Sequence, residues 1–448
     1  MSKLRGIRDL AGPRRAGRLL VWFRCAVVLA ILLVLLQTSD LLPPEYFQRR
    51  LSEQTTGLVF DFLGWEAQAL LVKAGMEFAA PQDALDESQR HQLVQSYFDT
   101  MRSADELNRE IKGIYSQMEG QAAAQAARAK EQQLADLRAW MQSRQNLVEG
   151  ILEEQVSAEL EAEGFGQWGY VWPPVKVRFT ELPLLLVISL RAAITREADV
   201  GLQAGLSLTE QEGLEDRVDR RFANMRSLVT PIGGMSAYPA MILENDSLVW
   251  LADTFAHEWT HHFLIFFPLG YSYRDSGEMT SINETTASIV GREVGRLVIL
   301  RYYPELADRL PALPVPPATP PMTSGELTWP DEPPAGEFSF DREMRQTRLH
   351  VDALLVEGKV DEAEAYMEEQ RQVFVDHGYT LRKLNQAYFA FYGSYATSPS
   401  TGNPIGGQLE WLRAQSPTLR AFLLRVARIS KQADLVTMLG QAGATESK

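Results

Sequence analysis

Cysteine is nearly missing. The only one is Cys25, which excludes an internal disulfide framework and a thiolate zinc cage. Positive charge is in deficit: 44 Lys and Arg face 58 Asp and Glu, for a net charge of −14. No basic stripe occurs beyond the first two dozen residues, so nucleic-acid binding has no electrostatic footprint. Internal repeats are absent, and heptads are not sustained well enough for a partner-binding coiled coil. Histidine is scarce, six in 448 residues, yet His257, His261 and His262 fall within six positions. Hydrophobic content of 45% and charged content of 23% are ordinary for a globular chain long enough for two or three domains.

The first 40 residues carry a membrane signal. Lys3, Arg5, Arg8, Arg14, Arg15, Arg18 and Arg24 flank an apolar stretch from Leu19 to Leu36 that only Arg24 interrupts. A span needs roughly 20 residues, and Arg24 can snorkel to the headgroups. The basic flank places the N-terminus in the cytoplasm and the remainder outside it, in the cell membrane as a single-pass protein. A cleaved signal peptide is the rival, but Gln37-Thr38-Ser39-Asp40-Leu41 lacks a small-x-small cleavage site.

The expected fold is α+β and predominantly helical. It comprises a zincin-like catalytic domain (a small β-sheet with an HExxH helix and a Glu helix), an N-terminal transmembrane helix and a long helical hairpin. Residues 1–40 are the basic tail and anchor, and 41–165 the membrane-proximal and hairpin region. Residues 166–310 are the catalytic core, 311–340 a Pro-rich loop and 341–448 a C-terminal helical subdomain. Apolar segments within 45–80 fit a helix packed on the domain or lying in the membrane interface. From Ser88 to Glu163 the spacing of Leu134, Leu137, Trp140 and Met141 predicts the hairpin, broken near Gly113 or Gly120 and serving as a packing element or spacer. Strands are expected at Val175–Thr180 and Leu184–Leu190, with an edge strand around Gly233-Gly234 between Val229 and Ile242. Helices follow at 247–303 and 341–440.

The chemistry concentrates in Asp253-Thr254-Phe255-Ala256-His257-Glu258-Trp259-Thr260-His261-His262. On a helix capped near Asn245-Asp246-Ser247 and ended by Phe266-Phe267-Pro268-Leu269-Gly270, residues i and i+4 share a face. His257 and His261 can therefore converge on one ion, with Glu258 about 100° round, near a bound water. Chance predicts on the order of 0.01 such motifs here. Two surface histidines on an ordinary helix are the bland alternative, and Trp259, Phe263 and Ile265 argue against it. His262 reads as a core histidine or a support to a ligand.

A third ligand is sought among Glu278, Glu284 and Glu293. Glu284 shares its face with Ala287, Ser288, Gly291 and Gly295, small residues that permit close helix approach. A capping box with Ser281 would explain Glu284 differently, but not that small-residue face.

His-Glu-x-x-His followed after about twenty residues by Asn-Glu-x-x-Ala resembles the gluzincin zinc metallopeptidases, thermolysin-like proteases and zinc aminopeptidases among them. The similarity is greatest to bacterial aminopeptidase-type sequences with an Asn-Glu helix. It covers 229–303 well, 175–228 and 341–430 loosely, and the first 165 residues hardly at all. It implies one Zn2+ per chain held by His257, His261 and Glu284, Glu258 as general base, and a peptide or protein substrate. Ser288 stands where thermolysin-like sequences place an aspartate, and the exopeptidase Gly-x-Met-Glu-Asn motif is replaced by Gly233-Gly234-Met235-Ser236-Ala237. The family adds a Tyr or His to stabilise the oxyanion. Tyr392 and Tyr395 are the candidates from the C-terminal helices, with Tyr388 and His377 behind them, although core packing places aromatics at the same spacing. The rival from another class is a membrane-anchored scaffold with a structural or vestigial zinc site, in which Glu258 has no purpose.

Overall fold

The Gln-, Glu- and Ala-rich stretch forms two long helices, Glu87–Gln117 and Gly120–Leu160. The chain turns at Met118-Glu119, where Gly120 takes φ +62°, and runs unbroken through Gly113. Asp86 and Gln89 close a capping box at the start. Val94, Tyr97, Phe98, Met101, Ala104, Leu107 and Ile111 recur every three or four residues and are buried, facing Leu134, Met141, Val148 and Ile151 in one hydrophobic core. That stripe makes the hairpin a packing element.

The structure, a computed structural model, describes residues 46–167, 169–321, 337–395, 401 and 403–446. The anchor expected at 19–36, Cys25 and part of the Pro-rich stretch lie outside these. Among the described residues no helix is long and apolar enough to cross a membrane. Met1–Gly57 and Leu58–Lys448 form separate units; of the first, the helix Tyr46–Thr55 is described.

The second unit is predominantly helical, with three small sheets. β1 (Gly166–Gln167) and β2 (Tyr170–Val171) form a hairpin. β3 (Val177–Phe179), β4 (Leu184–Leu190) and β5 (Ala198–Leu202) follow, then β6 (Met225–Pro231), β7 (Gly234–Met235) and β8 (Ala240–Ile242). One sheet has the order β5-β4-β6, all antiparallel; the other is β3-β8-β7, with β3 parallel and β7 antiparallel to β8. The single edge strand expected within 229–242 is therefore three strand segments in two sheets. Pro231 and Pro239, which lack an N–H, stand at the breaks. β5 and the helix Leu208–Arg221 escape the sequence reading. Gly201 and Asp199 weaken the strand pattern, and β5 is made by pairing to β4. The helix does carry a legible Ser207/Glu210 capping box.

The hairpin meets the β3 sheet through carboxylates. Glu149 Oε1 accepts from Phe179 N at 2.8 Å and Glu153 Oε1 from Val177 N at 3.0 Å. Residues four apart on a helix are about 6 Å apart, close to the two-residue repeat of a strand, so one helix face matches one strand edge. Lys73 bridges both carboxylates at 2.6 and 2.7 Å, and Lys176 joins Glu153 to Glu77.

The C-terminal helices divide between two cores. Those from Phe340 to Tyr392 cover the β4 sheet, where Met344, Val351 and Phe374 meet Leu185, Val187 and Leu228. Those from Ile405 onward pack with the hairpin and the two site helices. Buried Glu215 ties these layers together. It accepts from Val229 N, pairs twice with Arg382 and reaches Lys383 at 3.1 Å. Burial alone would raise its carboxyl, but the Arg382 hydrogen bonds and Lys383 outweigh this and hold it below the ordinary range. Glu215→Ala should therefore cost about 3–5 kcal/mol, the range for breaking a buried pair. A group depressed in the folded state stabilises above its unfolded pKa, and loses that contribution as pH falls through the folded value. Urea unfolding should show wild type and variant converging in acid; equal stability at neutral pH would contradict this role.

Candidate metal centre

The helix Leu248–Leu264 begins at Ser247, whose Oγ accepts from Trp250 N at 3.2 Å, and ends before the short helix Pro268–Tyr271. Trp259 anchors it inward by donating to Pro173 O at 2.7 Å. The partner helix, Gly277–Tyr302, is capped by Ser276. Ser281 lies inside that helix, 1% exposed, so no capping box with Glu284 forms. Glu278 sits in the first turn, and Glu293 is occupied by Arg413 at 2.8 Å.

The two helices touch backbone to backbone. A Cβ on Gly291 would lie 2.8 Å from Asp253 O and 3.1 Å from His257 Cβ; one on Gly295 would lie 2.6 Å from Asp253 N. Only glycine permits this approach, and it carries Glu284 across to the histidines. His257 Nε2 and His261 Nε2 are 3.1 Å apart, and Glu284 Oε2 lies 3.5 and 3.6 Å from them. Zinc with tetrahedral bonds of roughly 2.1 Å needs ligand atoms about 3.4 Å apart. The three donors form such a triangle, all within 4.8 Å of one another, and the two-imidazole, one-carboxylate set suits that ion.

Surrounding groups fix each donor. Asn283 Nδ2 donates to Leu269 O at 3.1 Å, so its Oδ1 faces His261 Nδ1, 2.8 Å away. His261 must then carry a proton on Nδ1, so that it is Nε2 which presents a lone pair inward once its own proton leaves. Tyr273 donates its hydroxyl to Glu284 Oε1, leaving Oε2 for the histidines. Burial, Glu284 and that hydrogen bond all push the phenol well above its usual range, so it stays protonated. Burial would raise Glu284, but His261 and the imidazole hydrogen bonds hold its carboxyl well below the usual range. Burial would lower His261, yet the Glu284 carboxylate pushes it up to about 9. The pocket favours positive charge.

Glu258 is 5% exposed, and its Oε2 has no hydrogen-bond partner. Burial raises its carboxyl, opposed by His257 and His261. β7 passes so closely that a Cβ on Gly234 would meet Glu258 Oε1 at 2.2 Å. His262 is no part of the triangle; its Nε2 donates to Ala237 O at 2.5 Å, and burial lowers it to about 4. It holds the segment that follows β7.

Tyr392 and Tyr395 part company. Tyr392 hydrogen-bonds Thr230 Oγ1 at 2.9 Å and packs on Tyr388. Tyr395 is half-buried within electrostatic reach of Glu284 and Glu258, and its hydroxyl makes no hydrogen bond among the described residues. Tyr388 belongs to the second core, and His377 caps a helix through Val373 O while stacking on Phe338.

Arg196, Asn283 and Tyr273 escape the sequence reading as site residues. Arg196 is held by Asp199 at 2.7 Å and senses Tyr273 and Glu284. Only Asn283 left a sequence signal, as the neighbour of Glu284.

No family model, curated protein or solved structure matches the chain.

If the triangle holds zinc, Asn283→Ala should leave the fold intact and weaken that binding by about 10- to 100-fold, the usual cost of losing a group that orients a ligand. Competition against a chromophoric chelator measures this, and unchanged affinity would remove Asn283 from the site.

Proposed function

We propose that this chain is a zinc-dependent peptidase of the gluzincin type, with a zincin-like catalytic domain held at the cell membrane by residues 19–36. The observation that carries the reading is Glu258, a buried carboxylate with an unpartnered oxygen beside the triangle of His257, His261 and Glu284. A purely structural site has no use for that group. Zinc held there would supply Lewis acidity, acidifying water and polarising a carbonyl.

The chain's own residues supply the rest. Glu258 takes a proton from the attacking water and passes it to the leaving amine; its raised carboxyl suits that exchange. An extended peptide adds to the outer side of β7, the last strand in its sheet, where Gly234 lets it pass close to Glu258. Tyr395, its phenol kept protonated by burial and the neighbouring carboxylates, donates to the carbonyl oxygen as charge develops. Tyr273 is already committed to Glu284, and Tyr392 to Thr230. Arg196 adds fixed positive charge.

The test is direct. Chain loaded with one zinc should cleave internally quenched peptides or aminoacyl reporters, and chelator should abolish this. Cleavage of neither class by fully loaded protein would leave the scaffold reading in its place.

A further inference from the structure

The helix Phe62–Ala79 is built inside out. Its exposed residues are Leu63, Gly64, Ala67, Gln68, Leu71, Gly75, Phe78 and Ala79, none of them charged. Leu63 is 61% exposed, Leu71 75% and Phe78 92%. At about 100° per residue these positions span an arc of about 160°, while Glu66, Lys73 and Glu77 fall within about 40° on the other side. The charges face the protein: Lys73 pairs with Glu149 and Glu153, and Glu77 with Lys176. A helix on the surface of a globular domain normally turns its apolar stripe inward and its charges to water. This one keeps its charges against the protein and turns Leu63, Leu71 and Phe78 outward over five turns, the pattern of a face that meets an apolar medium.

We propose that this face lies on the lipid bilayer, making a second membrane contact beyond the expected anchor. Two observations favour lipid over other occupants. Leu36, the end of the basic-flanked apolar stretch, is separated from Phe62 by only the 25 residues 37–61. Such a tether turns weak interfacial affinity into an intramolecular event with a high effective concentration. The face also carries no charge, so it offers hydrocarbon burial without a headgroup-specific pattern. At that same N-terminal end the helix seats Phe62 and Trp65 beside Met235, Ala237 and Met241 of the β7–β8 segment. The bilayer contact therefore borders the strand that the peptidase reading assigns to substrate, and favours substrate segments close to the membrane surface. The contact itself rests on the anchor reading of residues 19–36 and does not require peptidase activity.

The test uses the full chain with Cys25→Ser, reconstituted in phosphatidylcholine vesicles, carrying single fluorescent labels at Leu71→Cys, Phe78→Cys or, at the exposed hairpin tip, Gln117→Cys. Brominated acyl chains should quench the 71 and 78 probes about two-fold and leave 117 unchanged, since an interfacial helix buries its apolar face roughly 5–10 Å deep. Quenching should be the same with or without anionic lipid. Adding Phe78→Asp to the Leu71→Cys chain should abolish quenching at 71 while zinc content stays at wild-type level. Two results would overturn the proposal: probes at 71 and 78 open to aqueous iodide in vesicles, or probes shielded equally in vesicles and in detergent. The second would mean that the chain's own N-terminal segment or a second copy covers the face. Peptide cleavage measured in parallel separates this outcome from failure of the catalytic reading.

Discussion

If the peptidase reading holds, Glu258→Gln should abolish peptide hydrolysis and leave zinc bound. The amide fills nearly the same volume, and Gly234 still has room for it, so structure and metal content should match wild type. What is lost is the capacity to accept a proton, and a positioned general base contributes roughly 10²–10⁴-fold in rate. Zinc analysis and peptide cleavage measured on the same preparation decide the matter. A variant as active as wild type would remove Glu258 from the chemistry, and with it the main argument against a structural site.

A second large effect is expected from a residue with no side chain at all. Gly295→Val places a side chain where Asp253 N, Asp253 Cα and Ala252 C already stand within 2.6, 2.7 and 2.9 Å of the first carbon. Backbone cannot move aside as a flexible side chain can, so the two helices must separate. Overpacking costs typically about 1–3 kcal/mol, and more where backbone must shift. The functional effect should exceed the loss of stability, because Glu284 reaches the histidines only while the helices stay close. Zinc content should fall sharply in a chain that remains folded by circular dichroism. Glu293→Ala, on the opposite face and paired with Arg413, should keep its zinc. If Gly295→Val holds zinc as wild type does, the glycine face is not what sets the triangle.

The convergence of His257, His261 and Glu284 was legible because its signals are local. His257, Glu258 and His261 obey helical spacing, and the run of small residues after Glu284 announced a close helix pair. The hairpin and the buried strand at Leu184–Leu190 were legible for the same reason, since one period dominates each. What could not be read depends on chain folding back from a distance. Arg196 sits in a segment with no periodic signal and gains its position only when β5 pairs with β4. Tyr392 and Tyr395 are three apart, which on a continuing helix would place them on one face. The helix ends at Tyr392 with Gly393 as its cap, so the two tyrosines go to different neighbours. The 229–242 segment read as one strand because proline breaks and glycine approach both suit an edge, and no local rule says where a chain changes sheets.

The carboxylates that Glu149 and Glu153 present to β3 have a consequence for assembly. A small sheet with two open sides is a linking unit: side A of one molecule can join side B of the next, and the series has no end. Here one side is stoppered by a helix of the same chain, because the outward N–H groups of Val177 and Phe179 are already satisfied. Among the described residues the other outer strand of this sheet is β7, so strand addition is left to that side. Two copies meeting through that side would form a closed pair related by a two-fold axis, and such a pair offers no side from which to grow. A sheet left with one such side is thereby spared end-to-end polymerisation through its edges.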